Sequence, residues 1–77
     1  MKVKVLLFGV LAEKAGTSNL ELENIEDLDT LKEHVMNKFP DFRNLSFQAS
    51  LNRNLAKGNE KLSDGDEVAL LPPFAGG

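Results

Sequence analysis

Alternating apolar and polar positions open the chain and predict a first β-strand. Val3, Val5 and Leu7 recur with a period of two, which places their side chains together on one face of the strand. Leu6 and Phe8 make the opposite face apolar as well towards the end of the strand. An outward-facing phenylalanine needs a cover, which is either a loop of the same chain or a partner protein.

A second alternating segment and an amphipathic helix follow. Residues 19–23 predict a second strand, which we expect to pair antiparallel with the first. The connection between the two strands includes a predicted helical turn at residues 11–14. Asp27 is a favourable N-cap, and Pro40 ends the helix at or before the preceding residue. The helix face that should pack on the sheet carries four apolar residues at helical spacing: Leu28, Leu31, Val35 and Phe39.

The second half of the chain predicts two more strands. Residues 46–51 alternate again, and a turn at residues 52–54 follows them. Residues 55–62 predict an irregular passage. The acidic and glycine residues at 64–66 predict a tight turn. Residues 67–71 predict a last strand, with Leu71 on the face turned away from the core.

The order of these elements, strand–strand–helix–strand–strand, predicts an α+β fold with one main helix packed across a mixed sheet. The β-grasp (ubiquitin-like) arrangement fits this order, with the first and last strands parallel and adjacent in the centre of the sheet. The predicted organisation is a β-grasp domain over residues 1–71 and a flexible C-terminal tail over residues 72–77.

Composition narrows the possible function classes. The chain has 77 residues, with 9 basic and 12 acidic side chains and a net charge of -3, which disfavours binding to nucleic acid. It has no cysteine, which excludes disulfides, thiolate metal sites and cysteine nucleophiles. The apolar run near the start is too short for a membrane span or a signal peptide, so we expect a cytoplasmic protein without membrane contacts.

The tail carries the candidate chemistry. Pro72 and Pro73 stop the last strand and keep the chain extended, so the six residues after Leu71 can reach about 20 Å. Gly76 and Gly77 lack Cβ atoms, fit a narrow channel and leave a terminal carboxyl group open to attack. An adenylating enzyme can activate such a carboxylate as an anhydride with AMP, which a sulfur or nitrogen nucleophile then displaces.

The chain resembles the small subunits of molybdopterin synthase, a branch of the ubiquitin-like sulfur carriers. The most specific part of the resemblance is the last segment, LSDGDEVALLPPFAGG at residues 62–77, which combines an acidic turn, a double proline and a terminal Gly-Gly. The opening strand, the helix before Pro40 and the segment ASLN at residues 49–52 extend the resemblance over the whole chain. Phe74 is larger than the aliphatic residue typical of that position.

The resemblance implies a mechanism and its partners. An E1-like adenylyltransferase would activate Gly77 with ATP and Mg²⁺, and a sulfur donor would convert it to a thiocarboxylate. The tail would then enter the large subunit of molybdopterin synthase, in a heterotetramer, and sulfur would pass to a pterin precursor. The small chain would bind no cofactor or metal and supply no catalytic side chain.

The resemblance also implies a docking surface on the outward side of the first and last strands. Phe8 and Leu71 belong to it, and alternation alone already places both on the non-core face. The partner-binding part of the tail comprises Pro72, Pro73, Phe74 and Ala75.

Three other functions share many of these features. The chain is alternatively a protein modifier conjugated through Gly77 to lysines, a sulfur carrier for thiamine or another metabolite, or an interaction module that happens to end in glycines. Asp64, Asp66 and Glu67 are interpreted as turn and strand-start residues rather than metal ligands, and His34 as a solvated helix residue rather than a catalytic base.

Overall fold

The computed structural model describes residues 1–72, which form five strands, two α-helices and one 3₁₀-helix. In chain order they are β1 (Lys2–Leu7), α1 (Val10–Ala15), β2 (Asn19–Glu23), α2 (Leu28–Lys38), a 3₁₀-helix (Pro40–Asn44), β3 (Gln48–Leu51), β4 (Asn54–Leu55) and β5 (Glu67–Leu71).

The sheet has the predicted mixed topology. Its strand order is β2-β1-β5-β3-β4. The first and last strands lie side by side and parallel, with Val5 opposite Val68, whereas the other neighbours pair antiparallel. The central parallel pair and the single main helix confirm the predicted β-grasp architecture.

The core lies between one face of this sheet and α2. Alternation placed Val3, Val5 and Leu7 on the core face, and all three are buried. They join one apolar cluster with Leu28, Leu31 and Val35 of α2 and with Val68 and Leu70 of β5. Burial of large apolar side chains on facing layers is the main source of stability in a domain of this size.

The segment after α2 differs from the sequence-based expectation. Pro40 ends the α-helix as predicted, but it also occupies the start of the 3₁₀-helix, where a missing N–H leaves no hydrogen bond unmade. That turn brings Phe42 into the core, fully buried, with its ring centroid 5.3 Å from Phe39 and 6.0 Å from Phe47. Because Phe42 takes the interior position, Phe39 is only half-buried.

The third strand and its turn also differ in their bounds. β3 begins at Gln48 rather than at residue 46. Asn54 and Leu55, predicted as turn and irregular chain, form the short edge strand β4 opposite Leu51 and Ser50. The turn between the strands is tighter than predicted, because Asn52 and Arg53 both adopt positive φ angles, of 49° and 73°. That conformation matches the twist of a two-residue hairpin.

The start of α2 is held by its cap and by the passage that crosses it. The carboxylate of Asp27 accepts a 2.8 Å hydrogen bond from the N–H of Thr30, as predicted for an N-cap. The side-chain oxygen of Asn59 accepts the N–H of Asp29 at 2.9 Å, and Glu60 C=O accepts the N–H of Leu28 at 3.0 Å. Hydrogen bonds from Thr30 lower the pKa of Asp27 below its ordinary value.

Replacing Asp27 by alanine is expected to lower the melting temperature by about 5 °C at neutral pH, because the N–H of Thr30 loses its acceptor. Since the folded-state pKa of Asp27 is lowered, its ionic contribution is present above the unfolded-state pKa and is lost as pH falls through the folded-state value. Asp27→Asn keeps a capping oxygen but does not titrate. Its stability relative to the parent should therefore rise on acidification, and thermal melts of all three proteins at several pH values test this.

Candidate functional site

The sheet face turned away from α2, here called the outer face, consists of rows of side chains that cross the strands. Paired residues of neighbouring strands point to the same side of a sheet, so the strand registers define these rows. The row nearest the start of β1 is charged: Lys4 lies between Glu21 of β2 and Glu67 of β5. Because all three side chains of this row are charged, we expect this part of the outer face to remain in contact with solvent.

The next row is apolar at its centre. Leu6 pairs with Ala69, and both are half-buried. Asn19 stands at one side of this pair and Ser50 at the other. The outer face therefore loses its charge one row closer to the C-terminal end of β5.

The last row lies where β5 ends and contains two large apolar side chains, Phe8 and Leu71. Phe8 follows β1 directly and donates its N–H to Leu70 C=O at 3.3 Å, which continues the pairing with β5. Leu71 is half-buried opposite Gln48. The Phe8 side chain is 45% exposed, so the described part of the chain does not provide the cover that an outward phenylalanine requires.

Pro72 leaves the sheet beside this last row. It follows Leu71 and is half-buried, and its ring lies against the turn between β1 and α1. A Cβ atom built on Gly9 of that turn would be 3.0 Å from Pro72 Cγ. Phe8 and Leu71 thus lie at the end of the outer face from which the chain leaves through Pro72. Their role in docking remains a prediction.

The remaining predicted site residues are Pro73, Phe74, Ala75, Gly76 and Gly77, and they lie outside the described residues. Their assigned roles remain predictions. The structure bears on them only through the position of Pro72, from which they continue.

Leu55 is a residue of this face that the sequence-based interpretation missed. It pairs with Ser50, so it extends the row of Leu6 and Ala69 to the edge of the sheet, and 58% of its surface is exposed. The signal was present in the sequence: a leucine directly after a turn rich in Asn, within reach of an alternating strand, is typical of a short hairpin. The register with β3 was needed to assign its face.

The acidic turn has the structural role predicted for it. The carboxylate of Asp66 accepts the N–H of Ser63 at 2.7 Å and the side-chain amide of Asn52 at 3.0 Å. Asp64 accepts the N–H of Lys2 at 2.7 Å. These hydrogen bonds join the starts of β1 and β5.

The other described surface features lie apart from Phe8, Leu71 and Pro72. His34 is exposed on α2, as predicted, in the layer opposite the outer face. Two surface depressions have linings that exclude Phe8, Leu71 and Pro72. Within residues 1–72, neither α-helix has the length and apolar character that crossing a membrane requires.

Comparison with protein families identifies the chain. Residues 5–77 match the ThiS family. The chain belongs to this family. The match includes nearly all of the β-grasp domain and the whole terminal segment with Gly76 and Gly77. The family assignment therefore includes the segment to which the sequence analysis assigned the carrier chemistry.

Two curated relatives share the full length of this ThiS family chain. The molybdopterin synthase sulfur carrier subunit of Mycobacterium tuberculosis is 34% identical, covering 100% of this chain and 99% of the relative. The protein of the same name from Escherichia coli is 32% identical, covering 97% of this chain and 99% of the relative.

Solved structures agree with the ThiS family fold. A putative molybdopterin converting factor subunit 1 from Pyrococcus furiosus superimposes with a TM-score of 0.87 at 24% identity, over 96% of this chain and 99% of that one, and it bears on the fold alone. Small archaeal modifier protein 1 of Methanosarcina acetivorans gives 0.86 at 30% identity, over 99% and 96% of the two chains. A complex of subunits 1 and 2 of the Helicobacter pylori molybdopterin-converting factor gives 0.73 at 28% identity, over 100% of both.

Proposed function

We propose that this protein is the sulfur carrier subunit of a molybdopterin synthase. The observation that carries the proposal is the apolar end of the outer face, where Phe8 and Leu71 lie beside the exit of the chain at Pro72. A carrier needs a docking surface next to a segment that can reach a partner's active site, and this arrangement supplies both. The names of the two full-length relatives support the same function.

The partner that fits this face is the large subunit of the synthase. A solved relative of this chain is a complex of subunits 1 and 2 of a molybdopterin-converting factor, so an equivalent assembly is supported for this protein. An exposed aromatic with neighbouring aliphatic residues is typical of the anchor of such an interface. We assign a heterotetramer, with one carrier on each half of a dimeric large subunit.

Loading of the carrier begins with an E1-like adenylyltransferase. A carboxylate oxygen of Gly77 attacks the α-phosphorus of ATP, with Mg²⁺ bound by the enzyme, and pyrophosphate leaves. A sulfur nucleophile at the oxidation level of sulfide then attacks the carbonyl carbon, and AMP leaves. The product is a thiocarboxylate, and no electrons are exchanged in either step.

Transfer uses the nucleophilicity of this thiocarboxylate. Its sulfur is anionic and polarisable. It forms a C–S bond to an electrophilic carbon of the pterin precursor held by the large subunit, and an oxygen substituent leaves that carbon with its bonding electron pair. Water then hydrolyses the resulting acyl–sulfur bond, which leaves sulfur on the pterin and restores the carboxylate of Gly77. Catalytic side chains come from the partner, and this chain contributes the reacting atom and its position. Because loading consumes ATP, we place the protein in the cytoplasm.

Protein modification is the second candidate function. The relative from Methanosarcina acetivorans, 30% identical over nearly the whole chain, is named small archaeal modifier protein 1. Modification and sulfur transfer share the adenylation step and differ in the nucleophile, which is a lysine amine in one case and sulfur in the other. Conjugates of higher mass that depend on Gly77 would favour the modifier function.

Reconstitution tests the proposed function. The carrier, loaded by its activating enzyme, is mixed with purified large subunit and pterin precursor, and the sulfur-containing pterin is measured. The expected result is one sulfur transferred for each carrier consumed. Absence of product with a large subunit that is active with another carrier would contradict the proposal, as would full activity of a carrier that lacks Gly76 and Gly77.

Replacing Leu55 by alanine is expected to weaken binding to the large subunit about fivefold, measured by calorimetry. The effect is modest because Leu55 lies at the edge of the outer face, and leucine is under-represented among residues that dominate interfaces. Lys57→Ala, at a nearby exposed position, is the control and should leave the affinity unchanged. Equal affinities for both variants would remove Leu55 from the docking surface.

A further inference from the structure

Gly9 has a backbone conformation that residues with a side chain rarely adopt. Its φ angle is 58° and its ψ angle is -133°, a region essentially restricted to glycine. Hydrogen bonds hold the backbone on both sides of this residue. The N–H of Phe8 donates to Leu70 C=O at 3.3 Å, and Gly9 C=O accepts the N–H of Glu13 at 3.3 Å. A change of conformation at Gly9 therefore disturbs either the pairing with β5 or the start of α1.

The missing side chain of Gly9 also makes room for Pro72. A Cβ atom at position 9 would lie 3.0 Å from Pro72 Cγ and 3.7 Å from Pro72 Cδ, so the proline ring would have to move by a few tenths of an ångström. Gly16 provides the contrast within the described residues. It also has a positive φ angle, of 75°, but a Cβ atom there would have no neighbour within 4 Å.

The position of Pro72 matters because it is the last described residue before the segment that carries Gly77. Five residues separate Pro72 from the far end of Gly77, a span of about 17 Å when extended. Because these residues start from Pro72, a displacement of Pro72 changes the positions that Gly77 can reach. Misplacement of a reacting group by about 1 Å can reduce a rate by 10²-fold.

We propose that Gly9 is a positioning residue for sulfur transfer. Its lack of a side chain lets the Pro72 ring lie against the β1–α1 turn, and this contact sets the point from which the rest of the chain continues. The inference rests on the proposed function, since it concerns delivery of the Gly77 thiocarboxylate to the partner. Gly9 acts through Pro72 and touches neither the substrate nor the reacting atoms.

The test compares Gly9→Ala with Gly16→Ala in single-turnover sulfur transfer from preloaded carriers to the large subunit. Both substitutions strain a backbone with positive φ, and both should lower the melting temperature. Gly9→Ala should slow transfer about tenfold or more at saturating large subunit, with a smaller change in affinity. Gly16→Ala should stay within about twofold of the parent rate.

A double-mutant cycle isolates the contact from the strain. In a Pro72→Ala background the ring atoms that Gly9 accommodates are absent, so adding Gly9→Ala should change the transfer rate by less than about twofold. An equal loss in both backgrounds would overturn the inference. Equal rates for Gly9→Ala and Gly16→Ala would overturn it as well, while leaving the proposed function intact. A parent protein that transfers no sulfur would instead contradict the proposed function.

A measurement on the protein without substitutions tests the inference even if Gly9→Ala fails to fold. Nuclear Overhauser effects between the Hα protons of Gly9 and the ring protons of Pro72 are expected in the free carrier, given the short distance between these groups. Their absence, with the β1–β5 effects present, would show that Pro72 does not rest on Gly9 in solution and would overturn the inference.

Discussion

Deletion of Gly77 is expected to abolish sulfur transfer while leaving the fold intact. The deletion shortens the reach beyond Pro72 by about 3.5 Å and moves the terminal carboxylate away from the activating enzyme's reactive position. A misplacement of about 1 Å at a reacting centre can reduce a rate 10²-fold, so product formation should fall by at least about 10²-fold. The described apolar core spans Val3 to Leu70, so the free energy of unfolding should change by less than about 0.5 kcal/mol.

The measurement is the reconstituted transfer assay, with chemical denaturation of the same samples. Gly58→Ala is the matched control, since this glycine is exposed and a Cβ atom there would meet nothing within 4 Å. Its transfer rate should equal that of the parent. Undiminished transfer by the protein that lacks Gly77 would show that loading and transfer do not require a terminal carboxylate at the position of Gly77.

Replacing Phe8 by alanine is expected to weaken binding to the large subunit by about 30-fold, or about 2 kcal/mol, without unfolding the carrier. Phe8 is 45% exposed at the apolar end of the outer face, next to Leu71 and the exit at Pro72. An aromatic side chain at the centre of an interface is the typical dominant contributor to affinity. Because so much of the ring is already in solvent, the free carrier should lose far less stability than the complex.

Calorimetric titration of the carrier into the large subunit measures this effect. The control is His34→Ala, an exposed position on α2 in the opposite layer, which should leave the affinity unchanged. Circular dichroism of both variants should match the parent. An unchanged affinity for Phe8→Ala would move the docking surface to another face, and a loss of the circular dichroism signal would mean that Phe8 supports the fold instead.

The architecture was largely predictable because each strand carries its own signal. Alternation in β1 identified Val3, Val5 and Leu7 as core, and the same period put Phe8 and Leu71 on the other face. The helix could be bounded by local chemistry, with Asp27 as cap and Pro40 as stop. These signals depend on neighbours in the sequence, so tertiary contacts were not needed to interpret them.

The parts that were missed depend on tertiary packing and on strand register, which no repeating pattern in the sequence marks. Phe42 is buried because the 3₁₀-helix turns it towards Phe39 and Phe47, and no periodic pattern marks such a turn. Leu55 could be assigned to the outer face only from its register with Ser50. The contact between Gly9 and Pro72 joins residues at opposite ends of the chain, and it follows from the parallel pairing of β1 with β5.

The intact mass of the purified protein, after expression together with an active E1-like adenylyltransferase and a sulfur donor, tests the sulfur-carrier function most directly. The expected result is a mass gain equal to the exchange of one oxygen for one sulfur, present in the parent and absent after deletion of Gly77. An unmodified mass under conditions in which the same enzyme loads another carrier would contradict the sulfur-carrier function.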